Sequence, residues 1–125
     1  MIGVYIALGG GIGSFLRYVI TSTIARYFGT IFPYGTLTVN IIGSLTMGII
    51  IEYLSRTLPH SNELRAFLAI GILGGFTTFS AFSLESINLL QRGASAMAAA
   101  YIVASVLLSI LAVFGGMAIV KVAMQ

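Results

Sequence analysis

Phe76, Phe79 and Phe82 recur every three residues, Glu85 follows at the same interval, and Thr77, Thr78, Ser80 and Ser83 lie between them. On a helix this spacing keeps the rings on one slowly drifting face. An aromatic ring is negative over its faces and positive at its edge, so ring edges attract a small anion whereas a cation prefers the faces. Hydroxyl and amide donors also suit an anion, although the same hydroxyl oxygens coordinate cations. Core packing explains three phenylalanines at helical spacing more often than ligand binding does. The polar neighbours shift that balance. Thr36, Asn40 and Ser44 form a second stripe at four-residue spacing, and Tyr101, Ser105 and Ser109 a third. Serine and threonine are common glue between membrane helices, but the Asn40 amide has four hydrogen-bonding positions to satisfy in hydrocarbon. Together the stripes describe a narrow polar track past phenylalanine edges, and they favour passage of an anion.

These residues must be positioned by membrane helices. Of 125 residues, 58% are hydrophobic and 7% charged, against about a quarter charged in a soluble domain. The opening M-I-G-V-Y-I lacks a basic region, so the first apolar run is expected to stay as a span. Without cysteine there is no disulfide, thiol nucleophile or thiolate metal site. The one histidine, His60, sits in a loop between Pro59 and Ser61 with no metal-ligand partners. The net charge of +3 comes from scattered cations, not from a cluster of the kind that binds nucleic acid or anionic lipid heads.

A bilayer core needs about 20 helical residues per crossing. Punctuation divides the chain into four such segments, about Val4 to Ile24, Tyr34 to Tyr53, Leu64 to Leu90 and Ala96 to Val122. The predicted fold is all-α, one four-helix transmembrane domain over residues 1–125, with short loops that make neighbouring helices antiparallel. Both termini then lie on one face with Arg56, Arg65 and Lys121, while Arg26 and Arg92 lie on the other and Arg17 sits inside the first span toward that second face. Orientation normally follows a Lys/Arg excess on the cytoplasmic side, and this chain has almost none. Insertion both ways up is expected, with an antiparallel homodimer about a two-fold axis in the membrane plane as the simplest assembly.

The glycines fall into two groups. Gly9 and Gly13, like Gly10 and Ser14, have the small-xxx-small spacing of closely packed helices; a phosphate-cradling loop would need a preceding strand and a soluble site. Gly74-Gly75 is followed at once by hydroxyls and aromatics, which predicts a third helix broken near its middle. Irregular backbone there is tolerable only where its carbonyls face protein, water or an ion, as in transporters whose broken helices mark ion sites. The competing reading is a flexible or tightly packed glycine pair in an unbroken helix.

Three segments, G-G-G-I-G-S-F-L-R-Y, G-T-L-T-V-N-I-I-G-S and G-G-F-T-T-F-S-A-F-S, resemble the Fluc (CrcB-type) fluoride channels, and the likeness covers nearly the whole chain. The resemblance implies a fluoride-selective channel that exports cytoplasmic fluoride passively through two pores of a dual-topology antiparallel homodimer. It implies a bacterial inner-membrane location and a structural sodium ion on the dimer axis. By motif, Phe79 and Phe82 correspond to the pore phenylalanines and Asn40 to the pore-lining amide. Gly74 and Thr77 correspond to the residues whose carbonyls hold sodium. Tyr101, Ser105 and Glu85, with Thr36, match polar-track and vestibule positions, Ser80 and Ser83 lie among the pore residues, and Arg17 matches the arginine near the end of the first helix.

The rival reading is a proton-coupled exporter like the small multidrug resistance transporters, which share four spans and antiparallel dimers. Those proteins carry an essential glutamate in the first span, where this chain has Arg17 and no acid. Glu52 and Glu63 fall at span ends on the side of the termini, and Glu85 lies toward the other face, where Arg17 is placed to neutralise it. A purely structural membrane subunit would not need a broken third helix.

Overall fold

A computed structural model describes all residues, 1–125, as an all-helical chain. Four helical stretches are long and apolar enough to cross a membrane: Ile2–Phe28, Tyr34–Thr57, Asn62–Gln91 and Ser95–Ala123. Each runs one to several residues beyond the sequence-predicted bounds, because the flanking polar residues continue the helix past the apolar stretch. Gly29, with φ of 77°, ends the first helix and donates its N–H to the Ala25 carbonyl. Gly93, with φ of 78°, makes the turn between the third and fourth spans. Left-handed backbone of this kind favours a residue without Cβ.

The third span is irregular along its length. Asn62–Arg65 is α-helical, Ala66–Leu73 is π-helical and Gly74–Phe76 returns to α geometry. Thr77 and Thr78 are then extended, with φ/ψ of −85°/159° and −150°/120°, and a new helix runs over Phe79–Gln91. The break expected at Gly74-Gly75 therefore lies three residues later, and Gly74 itself is helical with φ −62° and ψ −37°. The glycines serve packing instead. A Cβ on Gly75 would run into the backbone of Gly10, and one on Gly13 would strike the Ile72 carbonyl. A Cβ on Gly9 would strike the Phe67 carbonyl and crowd Gly71. Gly9 and Gly13 thus admit the backbone of the third span, as their spacing predicts, whereas a Cβ on Gly10 would meet nothing within 4 Å and Ser14 lines a cavity rather than this seam.

The second and fourth spans form the other close pair. Gly48 meets the Val113 carbonyl and Gly116 the Leu45 carbonyl, each without room for a side chain. A small core of Phe82, Leu89, Ala98 and Tyr101 then joins the last half of the third span to the fourth. Large apolar side chains such as Phe15, Leu111 and Phe114 remain exposed on the outer faces, as they must in a protein whose surroundings are lipid.

Neighbouring glycines of the fourth span allow a sharp test of this packing. Gly116→Ala forces two backbones apart and is expected to cost on the order of 3 kcal/mol, the upper range for overpacking. Gly115→Ala, whose added carbon would meet only Leu45 Cδ1 at 3.9 Å, should leave stability unchanged or slightly improved. Denaturation of the purified protein in detergent measures both; equal stabilities would remove the backbone contact from the account.

Candidate functional site

An extended pair of residues inside a membrane helix strands the polar groups of its own backbone. The Thr78 N–H, which would otherwise donate to the Gly74 carbonyl, donates to Asn40 Oδ1 at 2.8 Å, and Asn40 Nδ2 donates to the Thr78 carbonyl at 3.1 Å. Thr78 Oγ1 caps the following helix by accepting from the Ala81 N–H at 3.2 Å. Side-chain capping of this kind satisfies one of the free donors at a helix start. The Leu73 carbonyl accepts twice from Thr77, from its N–H and its hydroxyl, each at 3.0 Å. Carbonyls at the end of the interrupted helix are left without helical donors, those of Gly74 and Thr77 among them. The one on Gly74 has lost its helical donor to Asn40, and the one on Thr77 accepts no backbone N–H. No group of three or more His, Asp or Glu side chains forms in the chain, so a cation here would be held by neutral oxygens, a task that free backbone carbonyls suit.

Beside the break lies a groove of about 300 Å³ in which residues from three spans meet. Asn40 and Ser44 come from the second span, Thr77, Thr78, Phe79 and Phe82 from the third, and Ser105 and Ser109 from the fourth. Two members of each polar stripe read from the sequence therefore share this groove with the phenylalanines, while Thr36 lines a neighbouring cavity and Tyr101 lines neither. The Phe79 and Phe82 centroids are 5.4 Å apart, and the Phe82 and Tyr101 centroids 5.3 Å, all three rings tilted. Ser105 is buried, and its Oγ has no hydrogen-bond partner. A buried hydroxyl without a partner costs free energy, so this one is available to a passing ligand.

A second cavity of about 440 Å³ adjoins the first through Thr78, which lines both. Arg17, Thr36 and Glu85 line it together with Ser14 and Thr21. Arg17 and Glu85 share this cavity without forming an ion pair; Glu52–Arg56 is the salt bridge in the chain. The Glu85 carboxylate instead accepts from the Tyr101 hydroxyl at 3.4 Å. Glu85 also lines a third cavity, with Thr30, Asn88 and Arg92, and Arg92 closes the adjacent loop by donating to the Ile31 carbonyl at 2.7 Å. Neighbouring cavities share lining residues: Thr78 stands between the first and second, and Thr30, Pro33 and Glu85 line both the second and the third.

Some candidates lie apart. Phe76 precedes the break, is buried, and packs near Gly43, so the change in backbone direction separates it from Phe79 and Phe82. Ser80 approaches Thr78 Oγ1 at 3.4 Å, and Ser83 donates to the Phe79 carbonyl at 2.9 Å. Both are exposed on the single chain, and neither lines the groove. Sequence reasoning missed Thr78 as the residue shared by two cavities. Its position just before F-S-A-F-S was the available signal, since Thr is a favoured helix N-cap.

Known proteins resemble this chain along most of its length. Residues 4–117 match the family described as CrcB-like protein, Camphor Resistance (CrcB). A protein of Agrobacterium fabrum named fluoride-specific ion channel FluC is 50% identical over 114 residues, covering 91% of each chain. Proteins of the same name from a Chelativorans species and from Rhodospirillum centenum are 52% identical over 112 residues and 45% identical over 118, covering 90% and 94% of each chain. With the match running across all four spans and through every wall of the groove, the chain belongs to the CrcB family of membrane proteins.

Proposed function

We propose that this protein is a fluoride channel of the bacterial inner membrane, conducting by passive electrodiffusion through two pores of an antiparallel dual-topology homodimer. The observation that carries the reading is the groove in which Phe79, Phe82, Asn40 and the unpartnered Ser105 hydroxyl converge, in a chain whose relatives are named fluoride-specific ion channels. Fluoride holds its hydration shell tightly, and a buried unpaired charge is costly. Donors and ring edges along the groove replace that water in part, and each contact must stay weak enough for the ion to leave. Arg17 and Arg92, in the two cavities that share Glu85, raise the local concentration of anions at the entrance.

Phe79 is 76% exposed on the single chain and Phe82 only 8%, so their isoleucine variants separate pore chemistry from packing. Each keeps an apolar side chain and loses the aromatic quadrupole. Phe79→Ile should leave stability nearly unchanged and Phe82→Ile should cost less than about 1.5 kcal/mol. In both, fluoride efflux from proteoliposomes without a proton gradient should fall more than tenfold, a barrier increase above about 1.4 kcal/mol. Wild-type flux in both variants would reduce the rings to core packing.

In the same reading the Gly74 and Thr77 carbonyls of both subunits hold a structural sodium ion on the two-fold axis. Such an ion supplies positive charge that joins the two broken helices. Thorough sodium removal should weaken the dimer and abolish flux, with potassium failing to restore either; unchanged size-exclusion profiles and activity would move the site elsewhere.

The near balance of cations between the two faces underlies the dual topology. Single cysteines placed in the loop after Phe28 should be labelled by an impermeant reagent from both sides of the membrane, in comparable amounts. Labelling from one side alone would rule the antiparallel assembly out.

A further inference from the structure

We infer that Asn40 is a positioning residue which holds the broken helix in its conducting shape by standing in for a missing backbone strand. This goes beyond any contact between Asn40 and the ion, and it does not depend on what the groove conducts. In the extended conformation of Thr78, with φ −150° and ψ 120°, the N–H and C=O of one residue point to the same side. A β partner would normally answer both. Here one primary amide does so: Oδ1 accepts from the Thr78 N–H at 2.8 Å and Nδ2 donates to its C=O at 3.1 Å. The partners are 38 residues apart in sequence, on different spans, so the pair also fixes the second helix against the third.

Only a side chain with an acceptor and a donor in one plane can make this pair. Asparagine and glutamine carry both; aspartate when ionised has acceptors alone, and when protonated it regains one O–H donor. The clamp leaves Asn40 with one free N–H, because Nδ2 carries two. It also determines where the neighbouring groups of Thr78 are held: its hydroxyl on the Ala81 N–H and its side chain between the two cavities.

The test is amide hydrogen–deuterium exchange of the full-length dimer in detergent, followed on peptides spanning Thr77 to Phe82, with N40A and N40L compared with wild type. The clamp requires both variants to raise exchange of this segment at least tenfold after correction for the intrinsic rate, because neither side chain carries a donor or an acceptor, while peptides of the first and fourth spans keep wild-type protection. Should N40A not assemble, N40L, which keeps the bulk of the side chain, decides the matter alone. Wild-type protection of the segment in N40L would overturn the clamp. So would exchange raised equally in all four spans. Loss of flux in Asn40 variants with unchanged exchange would instead leave Asn40 as an ion contact only, and would refute positioning while sparing the channel.

Discussion

A membrane offers no water to a backbone group that has lost its partner, and the third span of this protein breaks its own hydrogen-bond ladder at Thr77 and Thr78. The cost of an unsatisfied group in hydrocarbon is several kcal/mol, so the surrounding helices must answer the break. Asn40 takes both backbone groups of Thr78, and the Thr78 hydroxyl takes the Ala81 N–H. Carbonyls at the end of the interrupted helix, those of Gly74 and Thr77 among them, remain without helical donors. The polar character of the site follows from that one interruption.

Close approach of helices is the second requirement, and it makes the first possible. Gly9, Gly13 and Gly75 bring the first span against the backbone of the third, while Gly48 and Gly116 do the same for the second and fourth. With backbones in contact on these two seams, the side chains at the break project into the remaining space between the second, third and fourth spans. There Phe79, Phe82, Ser105 and Asn40 share a groove. Tyr101, fully buried between Phe32 and Phe82, packs behind Phe82 and presents its hydroxyl to Glu85.

The charged groups are arranged for access more than for stability. Arg17 and Glu85 occupy one cavity without forming an ion pair. Exposed pairs such as Glu52–Arg56 contribute little, typically below about 1 kcal/mol. Stability in this fold resides in glycine-mediated contact and in the small aromatic core, which leaves the polar groups free for another task.

Composition and hydropathy alone determined that this is a four-span membrane protein, because a bilayer demands about 20 apolar residues per crossing and allows few other solutions. The spacing of Gly9 and Gly13 foretold the first seam, and the stripes Thr36–Asn40–Ser44 and Tyr101–Ser105–Ser109 foretold two polar faces. Helical periodicity reports which residues share a face of one helix, so it was sufficient there. It could not place the break, since Gly74-Gly75 looks like a helix breaker until the backbone of Gly10 is seen against it. Nor could it separate Phe76 from Phe79 and Phe82, because the three-residue spacing presumes one continuous helix and the chain turns at Thr77. That Asn40 meets Thr78, and that Ser105 is left without a partner beside the phenylalanines, depends on contacts across 38 residues and between separate spans. Only the packing of whole helices decides such contacts, since each depends on the rotation and depth of two elements and not on the pattern within either.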